Sequence, residues 1–194
     1  MRRAVAIVFL AAAVIAGCGG PGDGAPAAPE LEVYDEIGSD FTLTDHRGEP
    51  FRLADTGGRV RLLFFGYTMC PDVCPQTLSK VVRVRQLLGE AGDELTTVFV
   101  SVDPERDTPE KLAAYLEYFH LGDAVALTGA AQEIDDVLAA FKATSIREDS
   151  GSAAGYLISH TPHLFLLDRE GRVRGLFGPF EKAEDVAAAA RSLL

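Results

Sequence analysis

Two cysteines four positions apart are the side chains of this chain best suited to chemistry. Cys70 and Cys74 lie in the stretch Gly-Tyr-Thr-Met-Cys-Pro-Asp-Val-Cys-Pro. The apolar run 60–65 before them indicates a buried strand, and a helical pattern begins near Pro75. At a strand-to-helix junction, unpaired backbone N–H groups and the helix dipole stabilise thiolates. Thiolates attack disulfides and bind soft metals, so this segment is a candidate site.

The spacing of the two cysteines leaves more than one role open. On a helix, positions i and i+4 share a face with Cβ atoms about 5–6 Å apart, and a small bend brings the sulfurs within disulfide range. The same sulfurs could instead chelate one ion. A purely structural disulfide would contribute little here, because so short a loop removes little chain entropy from the unfolded state. We therefore expect Cys70 and Cys74 to form a redox-active disulfide or a metal site.

The N-terminus carries the third cysteine in a different context. Arg2 and Arg3 precede an apolar run over 4–16, which is shorter than the roughly 17–25 residues that span a bilayer. The stretch Ile-Ala-Gly-Cys that ends at Cys18 resembles a bacterial lipoprotein signal. We expect a signal peptide over 1–17 and lipid on Cys18. An uncleaved anchor, or an ordinary signal with an incidental cysteine, is the alternative.

Residues 18–30 are rich in Gly, Pro and Ala and predict a flexible tether. The remaining residues, 31–194, are long enough for one domain with its own core. The lipid anchor predicts a domain held at the cell membrane and facing the periplasm or extracellular side. In such a compartment an exposed dithiol becomes oxidised unless a reductant or a metal protects it.

The charge of the chain argues against one class of partner. Cleavage before Cys18 removes two of the 18 basic residues and none of the 29 acidic ones, which leaves 16 against 29 and a net charge of −13. An excess of acidic residues repels phosphates, so no nucleic-acid partner is expected. The same charge favours solubility, or attraction to a basic protein surface.

The periodicity of the domain predicts an α/β fold. An N-terminal β-hairpin is expected over 40–53, followed by buried strands at 60–65 and 95–102 and a short strand at 124–127. Helices are expected over 76–88, from Thr108, around Ile134 to Phe141, and over 182–193. Strands at 163–167 and 172–177 flank a turn. The order predicts a thioredoxin-like fold, with a central mixed β-sheet flanked by helices and an insertion before the last hairpin.

Four further residues are candidates for supporting roles around the cysteines. His160 precedes the penultimate strand, in a loop that lies against the cysteine turn in thioredoxin-like folds, so its imidazole could bind a metal or act as a base. Pro162 stands where such folds place a cis-proline. Asp103 follows the second buried strand and could hold a partner, tune the site or begin a turn. Asp72 could disfavour a double thiolate, bond a backbone N–H or cap the helix.

Together these segments resemble the Sco/SenC family of membrane-tethered copper proteins. The resemblance covers nearly all of the exported domain and rests on three motifs. The motifs are Gly66 to Pro75, the stretch Ser-Val-Asp-Pro-Glu-Arg-Asp-Thr from Ser101, and His160-Thr161 before Phe-Leu-Leu-Asp. The family usually has an acidic residue before the histidine, where this chain has Ser159.

The resemblance implies one copper ion, Cu(I) or Cu(II), bound by Cys70, Cys74 and His160. It also implies a chaperone that helps assemble the binuclear copper (CuA) site of cytochrome c oxidase. The partners would be the copper-site subunit of the oxidase and a periplasmic copper donor or thiol reductant. Two thiolates and an imidazole also suit Cu(I) on chemical grounds, whereas structural zinc needs a fourth ligand.

An enzyme is the main alternative to a chaperone. A thiol-disulfide oxidoreductase could reduce the cysteines of the oxidase copper site or sense redox state. Against a general reductase, the motif is Cys-x-x-x-Cys and the chain has no Trp. A peroxidase is disfavoured because Tyr67 stands three residues before Cys70, where the peroxiredoxin motif needs Thr. A binding domain with an inert disulfide is the remaining alternative.

Overall fold

The structure is a computed structural model that describes residues 31–194 apart from 122, 150 and 152–154. The expected signal peptide over 1–17, the tether over 18–30 and the lipidated Cys18 lie outside the described residues. Those three assignments stay predictions.

The described chain forms strands and helices in an alternating order. The strands are β1 (Thr42–Asp45), β2 (Pro50–Arg52), β3 (Val60–Gly66), β4 (Leu95–Ser101), β5 (Val125–Thr128), β6 (Ser145–Asp149), β7 (Tyr156–His160), β8 (Leu164–Leu167) and β9 (Val173–Phe177). The helices are α1 (Val73–Leu88), α2 (Pro109–Tyr118), α3 (Ala131–Ala140) and α4 (Ala183–Arg191). Short 3₁₀ helices cover Leu53–Thr56 and Gly89–Glu94.

Seven of the strands form one mixed sheet in the order β2-β1-β5-β4-β3-β8-β9. Strands β3, β4 and β5 are parallel, whereas β1, β8 and β9 join antiparallel to their neighbours. Strands β1 and β2 pair antiparallel around the turn after Asp45. The predicted central mixed sheet with flanking helices is therefore confirmed, and its topology is thioredoxin-like.

Successive side chains of β3 enter two different cores, because neighbouring residues of a strand point to opposite faces. Leu62 and Phe64 pack with α1, α2 and α4 on one face of the sheet. Leu63 and Phe65 pack with α3 and with β7 on the other face. Helices cover both faces of the sheet, so every residue of β3 and β4 is buried.

A second sheet of two strands, β6 and β7, was not predicted. The strands pair antiparallel, and Ser145 lies opposite His160. Every residue of β6 is at least partly exposed and several are charged, so the segment lacks the alternation that indicates a strand. This hairpin packs over the face that holds α3 and brings His160 to the carboxyl end of β3.

Candidate metal centre

The cysteine turn begins where β3 ends. The Cys70 N–H donates to the Tyr67 carbonyl at 3.2 Å and closes a tight turn. Helix α1 starts at Val73, earlier than predicted, so Cys74 lies in its first turn while Cys70 lies before the helix. The two cysteines are therefore not a helical i, i+4 pair. Both are free thiols in this structure, and their disulfide stays a prediction.

Gly66 lets the thiol of Cys74 lie directly against the last residue of β3. A Cβ atom at position 66 would lie 2.6 Å from the Cys74 Sγ and 2.8 Å from a ring carbon of Phe99. Contacts this short do not occur, so any side chain here would displace the sulfur or the ring. The buried Cys74, 1% exposed, therefore owes its position to the missing side chain of Gly66.

The third donor comes from the end of β7. The Nε2 atom of His160 lies 3.5 Å from the Cys74 Sγ. The ring of His160 meets the buried ring of Tyr67 edge-on, with 5.9 Å between centroids. The hydroxyl of Tyr67 accepts a hydrogen bond from the Ile158 N–H at 3.1 Å, so the cysteine turn is tied directly to β7.

The tautomer of His160 follows from its other ring nitrogen. Its Nδ1 lies 3.2 Å from the Thr161 carbonyl oxygen, which can only accept a hydrogen bond. Nδ1 therefore carries the proton in the neutral ring. The lone pair of Nε2 then faces the sulfurs, which is the arrangement of a metal-binding histidine.

The pKa values of the two thiols are shifted in opposite directions. A hydrogen bond from the Cys74 thiol lowers the pKa of the Cys70 thiol well below its usual range, against the effect of burial. The backbone N–H groups of Asp72 and Cys74 add to that lowering. The same hydrogen bond to Cys70, together with burial, raises the pKa of Cys74. The partly exposed Cys70 is therefore the thiol of the pair that ionises more readily, and the buried Cys74 is the one that ionises less readily.

Asp72 supports the thiolate by its backbone rather than by its side chain. Its carboxylate makes no helix-capping hydrogen bond, so of the three roles open to Asp72 the structure excludes the capping of α1 by its side chain. The carboxylate instead accepts a hydrogen bond from the side-chain amide of Gln76, one turn further along α1. The side chain is exposed and turned along the helix, which leaves the Asp72 N–H to bond the thiolate.

Asp103 is buried and does not face a partner. Only 1% of it is exposed, and its carboxylate accepts hydrogen bonds from Arg106 and from the Tyr156 hydroxyl, the latter at 2.7 Å. The expectation that Asp103 could hold an incoming protein is therefore wrong for this conformation. The residue instead connects the loop after β4 to the first residue of β7.

Pro162 follows His160 but has no cis peptide bond. Among the described residues no peptide bond is cis, so the predicted cis-proline is wrong. The Thr161 N–H donates to the Thr144 carbonyl at 3.0 Å, and the Thr144 N–H donates to the Thr161 hydroxyl at 2.9 Å. These bonds fix the chain before Pro162 beside β6, where the intrinsically favoured trans bond fits.

Several residues of the site carried no separate prediction. Asp107 lies in the predicted motif from Ser101, but its contact with the cysteine turn is a tertiary one. Tyr156 lies after a stretch of small and polar residues, so no periodicity pointed to it. Tyr67 departs from the peroxidase motif, but nothing in the sequence indicates that its hydroxyl bonds to β7.

The three predicted ligands converge on one point. The sulfurs of Cys70 and Cys74 and a ring nitrogen of His160 all lie within 4.8 Å of one another. Metal–ligand bonds of roughly 2.0–2.3 Å would place three trigonal donors about 4 Å apart, so only small shifts are needed to seat an ion. No fourth His, Cys, Asp or Glu joins this group in the part of the chain that the structure describes. Two soft sulfurs and one imidazole fit a copper ion better than four-coordinate zinc.

Comparisons with known proteins point to one protein family. The family model described as SCO1/SenC matches residues 30–194. An SCO2-like protein of Rickettsia prowazekii is 36% identical over 151 residues, which cover 76% of this chain and 73% of the relative.

Solved structures agree with the sequence comparison. The copper-bound ScoI of Bradyrhizobium japonicum is 35% identical, with a TM-score of 0.73 over 81% of this chain and 99% of that one. Yeast Sco1 with copper bound is 27% identical, with a TM-score of 0.73 over 81% of this chain and 87% of that one. The sequence match, the shared fold and the Cys-Cys-His group agree with the predicted resemblance, and this chain belongs to the SCO1/SenC family.

Proposed function

We propose that this protein is a membrane-tethered copper chaperone that helps assemble the CuA site of cytochrome c oxidase. It would bind one Cu(I) or Cu(II) ion through Cys70, Cys74 and His160. The convergence of these three donors within 4.8 Å carries the proposal. The copper bound by the Bradyrhizobium and yeast relatives, and the motifs shared with the Sco/SenC family, support it.

The site has the properties that a carrier of copper needs. Soft thiolates select Cu(I), and the imidazole adds a donor suited to Cu(II). Cys70 is partly exposed and precedes the helix, so an acceptor protein could reach the ion from that side. With three protein donors, a coordination position stays open for a ligand of the acceptor, which would let the ion pass without being released to water.

A copper titration tests the proposal. The reduced domain with Cys18 replaced would be titrated anaerobically with Cu(I) against a competing chelator, and separately with Cu(II). We expect one ion per chain and loss of tight binding of both ions in Cys70→Ser and in Cys74→Ser. His160→Ala should weaken Cu(II) roughly 100-fold or more, because even the outer partners of metal ligands contribute about 10–100-fold.

His163→Ala is the matched control for the histidine. His163 is exposed, lies in the same connection and does not belong to the three-donor group. The His163→Ala variant should bind Cu(I) and Cu(II) with the affinities of the wild type. Unchanged Cu(II) affinity in His160→Ala would contradict the ligand set, and stoichiometric binding retained in Cys70→Ser would contradict the dithiol site.

A second function, thiol-disulfide exchange, is favoured by the asymmetry of the cysteine pair. The partly exposed Cys70 thiolate could attack a partner disulfide and form a mixed disulfide, releasing one partner thiolate. The buried Cys74, after losing its proton, would attack the Cys70 sulfur and release the second partner sulfur as a thiolate. The partner disulfide is reduced by two electrons, and the Cys70–Cys74 disulfide forms.

Copper-free kinetics separate the two functions. The reduced domain would be mixed with an oxidised peptide that carries the two cysteines of a CuA site, and both disulfides would be followed by mass spectrometry. Fast reduction by the wild type and trapping of a mixed disulfide in Cys74→Ser would support the exchange reaction. Exchange no faster than with free glutathione would leave copper delivery as the function.

A further inference from the structure

The loop from Ser101 to Asp107, which follows β4, contacts two parts of the copper site. The cysteine half is the turn that carries Cys70 and Cys74, and the histidine half is strand β7, which ends at His160. We propose that this loop is a positioning device, in which Asp107 holds the cysteine turn and Asp103 holds the strand that ends at His160. The inference rests on the proposed copper site and deepens it, since it names residues that set the spacing between the sulfurs and the imidazole. None of these residues is a ligand.

Asp107 fastens the cysteine half. Its buried carboxylate accepts hydrogen bonds from the Thr68 N–H at 3.0 Å and from the Thr68 hydroxyl at 2.6 Å. The hydroxyl of Ser101 donates to the same carboxylate at 2.6 Å. Because Thr68 lies two residues before Cys70, these bonds fix the chain just ahead of the partly exposed cysteine.

Asp103 and Arg106 fasten the histidine half. The Tyr156 hydroxyl donates to Asp103 at 2.7 Å, and Arg106 donates from Nη1 to the Tyr156 carbonyl at 3.1 Å. The guanidinium of Arg106 lies 3.6 Å from the centre of the Tyr156 ring, and Arg147 lies 3.5 Å from the same centre. The first residue of β7 is thus held by its backbone, its hydroxyl and its ring.

The two halves are joined inside the loop itself. The Asp103 N–H donates to the Ser101 hydroxyl at 3.1 Å, and the Asp107 N–H donates to the Asp103 carbonyl at 2.9 Å. Ser101, Asp103 and Asp107 are each at most 1% exposed. A buried network in which each polar group has its partners holds its shape, because breaking a bond leaves a buried donor or acceptor without a partner.

The β6–β7 hairpin needs such a fastening more than the cysteine turn does. The cysteine turn is the direct continuation of β3 in the central sheet. Among the described strands, by contrast, β7 pairs with the exposed strand β6 and with none of the central sheet. Loosening the loop's hold on Tyr156 should therefore shift His160 while leaving both sulfurs in place. The expected signature is a selective loss of Cu(II) over Cu(I).

Tyr156→Phe is the sharpest test because it removes one hydroxyl and keeps the ring between the two arginines. We expect Cu(II) affinity to fall roughly 10-fold, as for other outer partners of metal ligands, with Cu(I) affinity within about 3-fold of wild type. The sulfur-to-Cu(II) charge-transfer absorption should shift, since the imidazole no longer holds its place. Asp103→Asn should act in the same direction, and the double variant should be less than additive.

Asp168→Asn is the matched control for Asp103→Asn. Asp168 is also a buried carboxylate bonded to arginine, but it lies beside the start of β3, at the opposite end of the sheet from the cysteines. The Asp168→Asn variant should have a lower melting temperature without metal and the same affinities for Cu(I) and Cu(II) as the wild type. If Asp103→Asn and Tyr156→Phe also lowered the melting temperature and left both copper affinities unchanged, the loop would have a purely structural role. That result would overturn the proposal.

A readout without metal separates this proposal from the copper proposal. In the metal-free protein, the ring protons of Tyr67 and His160 should give a nuclear Overhauser effect that weakens in Tyr156→Phe and persists in Asp168→Asn. If the Tyr67–His160 contact weakened in Tyr156→Phe but the wild type bound no copper, the copper proposal would be contradicted and the positioning role would stand. An undiminished contact in Tyr156→Phe would contradict the positioning role, whatever the wild type binds.

Discussion

Gly66 shows how one missing side chain shapes the cysteine pair. The residue ends β3, and the space that a Cβ would fill is taken by the Cys74 sulfur and the Phe99 ring. With the sulfur seated there, Cys74 stays buried beside Cys70 and donates the hydrogen bond that lowers the pKa of the Cys70 thiol. The pKa difference between the two thiols therefore depends on a residue that carries no functional group.

Gly66→Ala should damage the site more than the fold. The added methyl group would push Cys74 away from Cys70, so copper affinity should fall at least roughly 10-fold, while overpacking should cost about 1–3 kcal/mol of stability. Gly178→Ala is the control, because its Cβ would meet only the movable carboxylate of Glu181 at 3.0 Å. Chelator competition and thermal unfolding measure the two effects. Wild-type copper affinity in Gly66→Ala would contradict this account of the packing.

The turn between β8 and β9 is an element set by one carboxylate. Asp168 accepts hydrogen bonds from the N–H groups of Glu170 and Arg172, at 3.1 and 2.9 Å, and its charge is paired with Arg172 and Arg174. The Asp168 carbonyl accepts a bond from the buried Arg61 at 2.8 Å. This turn therefore anchors the start of β3, and β3 carries the cysteine turn at its other end.

The acid stability of the domain should reflect that turn. Burial by itself raises the pKa of Asp168, but the bonds from Arg172 and Arg174 outweigh it and hold the pKa below the ordinary 3.8. The group therefore stabilises the fold fully above pH 3.8, and that contribution is lost as the pH falls through the lower folded-state pKa. Asp168→Asn should lower the free energy of unfolding by about 2 kcal/mol at pH 7 and less at pH 2.5.

Urea unfolding between pH 2.5 and pH 7 measures this dependence. Asp93→Asn, which changes an exposed carboxylate in the second 3₁₀ helix, is the control and should follow the wild-type curve. Parallel curves for wild type and Asp168→Asn across this range would show that the carboxylate contributes no pH-dependent stability.

At the scale of the whole molecule, the copper-binding domain and the proposed membrane anchor lie in different parts of the chain. No helix in the described part of residues 31–194 is long and apolar enough to cross a bilayer. The attachment that we propose lies in the N-terminal segment, where Cys18 would carry lipid at the end of a tether. The copper site would then face the outer side of the membrane, near the oxidase subunit that we propose as its partner.

Cys18→Ser in the full chain tests the anchor. Expressed in a bacterial host, the wild type should be recovered in the membrane fraction, with a mass that shows cleavage before Cys18 and added lipid. The variant should carry no lipid and should be lost from the membrane fraction unless the apolar run stays attached uncleaved. Lipid-free wild type would contradict the lipidation proposal, and the copper affinity of the domain should be the same in both.

The elements that position the site could be predicted from local pattern to within a few residues. Strand β3 was predicted at 60–65 and spans Val60–Gly66, and β4 was predicted at 95–102 and spans Leu95–Ser101. These strands are buried on both faces, so their apolar runs are continuous and unambiguous. Helix α2 begins where Thr108 and Pro109 predicted, since a cap and a first-turn proline are local signals.

The start of α1 and the β6–β7 hairpin could not be predicted in the same way. The sequence predicts that the helix begins near Pro75, but α1 begins at Val73. Pro75 then lies in the first turn, where a proline is tolerated because its missing N–H would have no partner within the helix. Four of the five residues of β6 are polar or charged, and its partner β7 begins further along the chain at Tyr156. The pairing therefore depends on the contacts that β7 makes with Tyr67, Asp103 and Arg106. Such contacts are invisible in a local window of sequence.

The sequence alone determined the donor types, the mixed sheet and the place of the cysteines at the end of a buried strand. These properties follow from residue chemistry and from periodicities of two to four residues, which act locally. Only the tertiary structure decided that His160 reaches Cys74 and that Asp103 is buried beneath Tyr156. Those outcomes depend on groups that lie 39 to 91 positions apart in the chain, such as Thr68 with Asp107 and Tyr67 with Ile158, and folding alone brings them together.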